Sequence, residues 1–179
     1  MRMRMRITTV IVLTLTLCIL NSGCNSEPDS PSGHEHFQLA EKYNSGEGVT
    51  QDHKEAEKWY RLAAEQGHAE AQFSLGQMYS FGKGVPSDHT EAAKWYRLAA
   101  EQGHAGAQNN LGIKYAFGLV GNPDYKEAYI WCYISNINEP DNSTKENVEG
   151  FKAKLSPEQL AEAQEEATAR IKQIEERKK

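Results

Sequence analysis

Lys58 to Ala69 reads KWYRLAAEQGHA, and Lys94 to Ala105 reads the same residues in the same order. The two copies are the visible part of a longer period. Trp59, Trp95 and Trp131 stand 36 residues apart, as do Tyr43, Tyr79 and Tyr115, Gly46, Gly82 and Gly118, and Asp52, Asp88 and Asp124. A period between about 20 and 50 residues marks a stacked supersecondary unit. Chance does not hold register across so many residue types.

Within the middle unit, Ala92, Trp95, Tyr96, Ala99 and Ala100 fall on one face of a helix at spacings of three and four. Asp88 precedes that run and Glu91 follows it three places on, as Asp52/Glu55 and Asp124/Glu127 do in the flanking units. The spacing predicts reciprocal capping, each side chain satisfying a free amide at the helix start. Gly103, like Gly67 before it, supplies the left-handed residue that ends the helix. Upstream, Ala71, Leu75, Met78 and Tyr79 form a second helical stripe, closed by Gly82 and the turn Gly82-Lys83-Gly84-Val85-Pro86. Each unit is therefore a helical hairpin. Gly76 and Gly112 sit inside the first helices, where glycine costs about 1 kcal/mol relative to alanine. That cost is accepted where the missing side chain lets Trp, Tyr and Ala of the paired helix approach closely.

Residues 71–103, AQFSLGQMYSFGKGVPSDHTEAAKWYRLAAEQG, follow A-x-x-x-L-G-x-x-Y-x-x-G-x-G-V-x-x-D-x-x-x-A-x-x-W-Y-x-x-A-A-x-x-G. This pattern resembles the Sel1-like repeat, a relative of the tetratricopeptide repeat, and the resemblance runs from about Phe37 to Trp131. It implies an all-α, right-handed α-α superhelix of three hairpins, at about 37–68, 69–104 and 105–139. The repeat positions are Leu75, Gly76, Tyr79, Gly82, Asp88, Ala92, Trp95, Tyr96, Ala99 and Gly103, with Trp59 and Trp131 repeating Trp95.

The departures fall at the ends. Glu35 takes the place of Ala71, so the first helix is expected to begin late. In the third unit the turn reads GLVGNP, Cys132 replaces the tyrosine, Ser135-Asn136 replace the paired alanines, and Glu139-Pro140 stands where the glycine step belongs. Residues 140–179 are expected to form capping helices, one opened by Ser143-x-x-Glu146 and a longer one by Ser156-Pro157-x-Gln159. LSPEQLAEAQ resembles the C-terminal cap of secreted Sel1-like proteins, and stacked repeats need such a cap to cover their apolar end. Glu175 to Lys179 are expected to fray.

The start of the chain is of another kind. MRMRMR followed by ITTVIVLTLTLCIL is a basic region and an apolar run too short to span a bilayer, the composition of a secretory signal over residues 1–23. Leu20-Asn21-Ser22-Gly23-Cys24 resembles a bacterial lipobox, with Asn21 where leucine is usual, which implies lipidation of Cys24. Asn25 after it implies the outer membrane, with the domain facing the periplasm or the surface. Residues 24–36 read as a polar tether. The full chain carries a net charge of −5, and losing Arg2, Arg4 and Arg6 with the signal makes it more acidic, which argues against a nucleic-acid partner. Only Cys132 of the three cysteines lies in the exported domain, so no disulfide can form within it.

No nucleophile elbow or zinc-binding helix motif is present. His68 and His104 recur with the period and read as turn residues, and His53 and His89 follow the capping aspartates. His34-Glu35-His36 reads as solvated linker, Gly82-Lys83-Gly84 as a helix end, and Cys132 as a buried, inert thiol. Neither metal nor cofactor nor catalytic residue is expected. The resemblance implies that the first helix of each unit lines a concave surface which holds a protein or peptide. Phe37, Phe73 and Asn109 form one row of non-repeat positions there, with Gln77 a turn along, and serve as candidate contacts. The expected function is a membrane-tethered scaffold of the envelope; the alternative is a periplasmic binder or hydrolase of cell-wall fragments.

Overall fold

A computed structural model describes residues 32–179; the leader expected over residues 1–23, Cys24 and the part of the expected tether up to residue 31 lie outside the described residues. Eight helices follow in order: α1 (Gly33–Ser45), α2 (His53–Glu65), α3 (Ala69–Phe81), α4 (His89–Glu101), α5 (Ala105–Ala116), α6 (Tyr125–Asn138), α7 (Asn142–Lys152) and α8 (Pro157–Arg177). No strand occurs among the described residues. Helices α1 to α6 pack each against the next as three hairpins, and α6 then receives both α7 and α8. This is the right-handed α-α superhelix with a C-terminal helical cap.

The aspartates cap as their spacing predicts. Asp52 accepts from the amides of Lys54 (2.9 Å) and Glu55 (3.2 Å), Asp88 from Thr90 and Glu91, and Asp124 from Glu127. The glutamates do not return the bond. Glu55 pairs with Lys58, Glu91 with Lys94, and Glu127 accepts from Trp131 Nε1, because a lysine or indole one turn on offers these carboxylates a charged or buried donor. Complete capping boxes stand instead at Ser32/Glu35 and Ser156/Gln159.

The Ser32 box corrects the start of the fold. It sets α1 going at Gly33, in register with Ala69 of the next unit, so the first helix does not begin late and residues 33–36 are helix, not tether. His36 is buried, stacked on Trp59 at 5.6 Å and bonded to Gln66. His68 and His104 are more than turn residues: their Nδ1 atoms accept from the amides of Ala71 and Ala107, which makes them the N-caps of α3 and α5. At the other end, Asp141 and not Ser143 caps α7, and Glu175 to Arg177 continue α8 instead of fraying. Ile174 is buried there and Arg177 reaches Glu101 at 3.2 Å.

The seam is as tight as the glycines require. A Cβ at Gly76 would stand 2.6 Å from the Tyr96 ring, and one at Gly112 would stand 2.5 Å from Cys132 Sγ. Buried amides stitch successive hairpins: Gln72 and Gln108, one period apart, donate to Ala64 O and Ala100 O at 3.0 Å each. Gln102 extends the ladder to Gln72, and Asn138 extends it to Gln108. Such groups stabilise only because each finds its partner away from water.

Cys132 is fully buried, and desolvation pushes its thiol up to about 12 from an ordinary value of 9.0. An unfolded chain therefore releases a proton near pH 9 that the folded chain keeps, so stability falls as pH rises between about 9 and 12. Tyr60 and Tyr96, also raised first by burial, steepen the fall at higher pH. Urea midpoints across this range should drop, and Cys132→Ala should flatten the earliest part of the slope while leaving the tyrosine part. An equal slope in the variant would exclude the thiol as its source.

Candidate interaction face

The row of candidate contacts has a structural occupation. Phe37 lies flat on the His68 ring at 4.5 Å and tilts against Tyr60. Phe73 repeats this on His104 at 4.3 Å and Tyr96 at 5.8 Å. Each phenylalanine thus holds in place the histidine that caps the following helix. Asn109, the third member, uses its carboxamide oxygen to accept from Asn147 at 3.1 Å and from the Cys132 thiol. All three are half-buried; Phe37 and Phe73 join their hairpin to the next, and Asn109 joins the third hairpin to α7.

Gln77 lies elsewhere, in a cleft of about 280 Å³ between α1 and α3. Glu41 and Asn44 line it from α1, Ser74 and Phe81 from α3, and Lys83 from the following turn. The Tyr60 hydroxyl forms its base and donates to the Glu41 carboxylate. At the rim Phe81 is 70% exposed, and Phe117, one period further on, is 69% exposed. An aromatic left in water at the same place in two successive units has no packing role. The pattern marks this position as free, so only its recurrence as phenylalanine beside the closing turn singles it out in the sequence.

No group of three or more His, Cys, Asp or Glu suited to a metal ion occurs among the described residues. Cys132 is walled in by Asn109 and α5, and the capping aspartates are committed to backbone amides. No helix among the described residues is long and apolar enough to cross a membrane.

A family model for the Sel1 repeat matches residues 36–68, 69–104 and 105–135. The chain belongs to the Sel1 repeat family. Its Sel1 hairpins resemble those in the crystal structure of a protective antigen of uropathogenic Escherichia coli strains displaying an SLR fold. That structure has a TM-score of 0.66 and 30% identity, over 79% of this chain and 38% of the other. A Sel1 repeat protein from Oxalobacter formigenes gives a TM-score of 0.64 and 33% identity, over 79% of this chain and 58% of that one. The chain thus spans less than two thirds of the length of either relative. No curated protein matches the sequence. Sel1 repeat proteins are in general non-enzymatic scaffolds for protein interactions.

Proposed function

We propose that this Sel1 repeat chain is a membrane-tethered adaptor of the bacterial envelope. In this reading Cys24 carries a lipid anchor to the outer membrane, the polar stretch after it gives reach, and the repeats hold a protein or peptide partner on the face formed by α1, α3 and α5. The observation that carries it is the cleft between α1 and α3, with the exposed Phe81 at its rim and Phe117 repeating it. Asn44 and Gln77 offer amides to a partner's backbone, Glu41 and Lys83 offer charges of both signs, and the phenylalanines offer apolar anchors. The description of the Escherichia coli relative as a protective antigen supports an exported chain.

The test is crosslinking in intact cells expressing the full chain, beside Gln77→Glu and Phe81→Glu. Phe73 is unsuitable because its replacement would unpack the His104 cap. One protein recovered with the parent and lost from both variants is the expected result. Recovery of cell-wall glycan without protein would replace the adaptor by the cell-wall binder. Metabolic labelling with a radioactive fatty acid should mark the parent and spare Cys24→Ser; label in both would remove the anchor from Cys24.

A further inference from the structure

Arginines recur in this chain at a fixed kind of station, built from an aromatic ring and a carboxylate. Arg61 of α2 lies 5.9 Å from the Tyr79 and Trp95 ring centres, donates to the Tyr79 hydroxyl, and takes Glu57 one turn before it, with Nε to Oε1 at 2.9 Å. Arg170 of α8 covers Trp131 at 5.0 Å and grips Glu127 with both terminal nitrogens, at 2.9 and 2.6 Å.

Arg97 stands one period after Arg61 and repeats half of this. It covers the Tyr115 ring at 5.7 Å and donates to that hydroxyl, but the residue one turn before it is Ala93, where the earlier unit has Glu57. Trp131, the ring one period after Trp95, is already covered by Arg170. Among the described residues no carboxylate pairs with Arg97. In place of the missing side chain is a cavity of about 160 Å³, lined by Thr90, Ala93, Lys94, Arg97, Tyr115 and Val120. Lys94 at its edge gives one of its three ammonium donors to Glu91 at 2.8 Å, so the open donors there are those of the guanidinium and the remainder of that ammonium.

We infer that this cleft is a docking site for the carboxylate of an aspartate or glutamate side chain on a partner protein, which completes at Arg97 the station that Glu57 completes at Arg61. A guanidinium fork matches a carboxylate in two parallel bonds and is lightly hydrated, so it binds a carboxylate delivered from outside as it binds one from its own helix. Thr90 adds a hydroxyl, and Val120 and the Tyr115 ring give the stem of the acidic side chain an apolar wall. The site goes beyond the adaptor reading, since it lies between α4 and α5 and shares no residue with the cleft at Gln77 and Phe81.

The purified full chain in detergent is titrated with acetyl-Gly-Glu-Gly-amide, whose one carboxylate is the side chain, and read by nitrogen-15 shifts of the Arg97 Nε and by Tyr115 ring signals. The glutamate peptide is expected to titrate and its glutamine counterpart to leave both signals still. Arg97→Gln should weaken binding about tenfold or more, the worth of a charge-assisted bond. Ala93→Glu should keep the fold, install the carboxylate internally and abolish the titration, whereas Phe81→Glu should leave it unchanged. Equal response to the glutamate and glutamine peptides, or full affinity in a folded Ala93→Glu or in Arg97→Gln, would overturn the site. Tighter binding of acetyl-Gly-Gly-Gly with a free C-terminus would overturn the assignment to a side chain.

Discussion

Replacing Gly84 by alanine is expected to destabilise the fold by about 2–4 kcal/mol, while the same change at Gly48, one period earlier, costs only about 1 kcal/mol. The two glycines have the same left-handed backbone, with φ of +75° and +74°. Each therefore carries the same local strain when given a Cβ. They differ in what lies opposite. A Cβ at Gly84 would stand 2.4 Å from the carbonyl oxygen of His53 in the preceding hairpin, and one at Gly48, in the first hairpin of the described residues, would meet nothing within 4 Å. A backbone carbonyl cannot rotate aside as a flexible side chain can, so the stack itself must part. Urea unfolding of both variants isolates the energy of hairpin-to-hairpin contact from that of the turn. Equal losses at the two sites would show that the turn between α3 and α4 does not bear on α2.

That comparison is possible because the repeat was legible in the sequence. The period, the capping aspartates, and the glycines at helix ends and in the seam all follow from demands that few residue types meet: an amide acceptor, a positive φ, a missing Cβ. Where many residue types meet the demand, the sequence does not single one out. His68 and His104 cap helices through a ring nitrogen, a capping group outside the usual Ser, Thr, Asp and Asn. Ser32 is a common cap, yet the polar run around it reads as linker, and only the burial of His36 and Ala40 marks the helix behind it. Phe37 and Phe73 read as contacts because aromatic residues off the repeat pattern suggest ligands; in the fold they stack on the capping histidines, a pairing visible only in three dimensions. Phe81 needs the same information in reverse, since exposure is what separates it from Phe73.

Ending the chain at Leu155, which removes α8, is expected to bring the stack close to its unfolding threshold. Ile174 is buried and Leu160 and Ile171 are partly buried against the last hairpin, which together contribute on the order of 4 kcal/mol of apolar burial. Small domains have only about 5–15 kcal/mol to lose. The removal also uncovers what α8 protects. Trp131 loses the guanidinium above it, and Glu127, which is 23% exposed, keeps only the indole donor in place of the Arg170 fork. Arg170→Met separates the two effects, since it keeps a stem over Trp131 and unpairs Glu127; its loss should be about 1–3 kcal/mol, the cost of a half-buried charge left short of partners. Circular dichroism on heating should show the truncated chain melting well below the parent and binding a hydrophobic dye before it melts, with the point variant between them. A truncated chain that melts with the parent would mean that α6 and α7 close the stack alone. The ion pair would then serve only to hold α8 against a surface already stable without it.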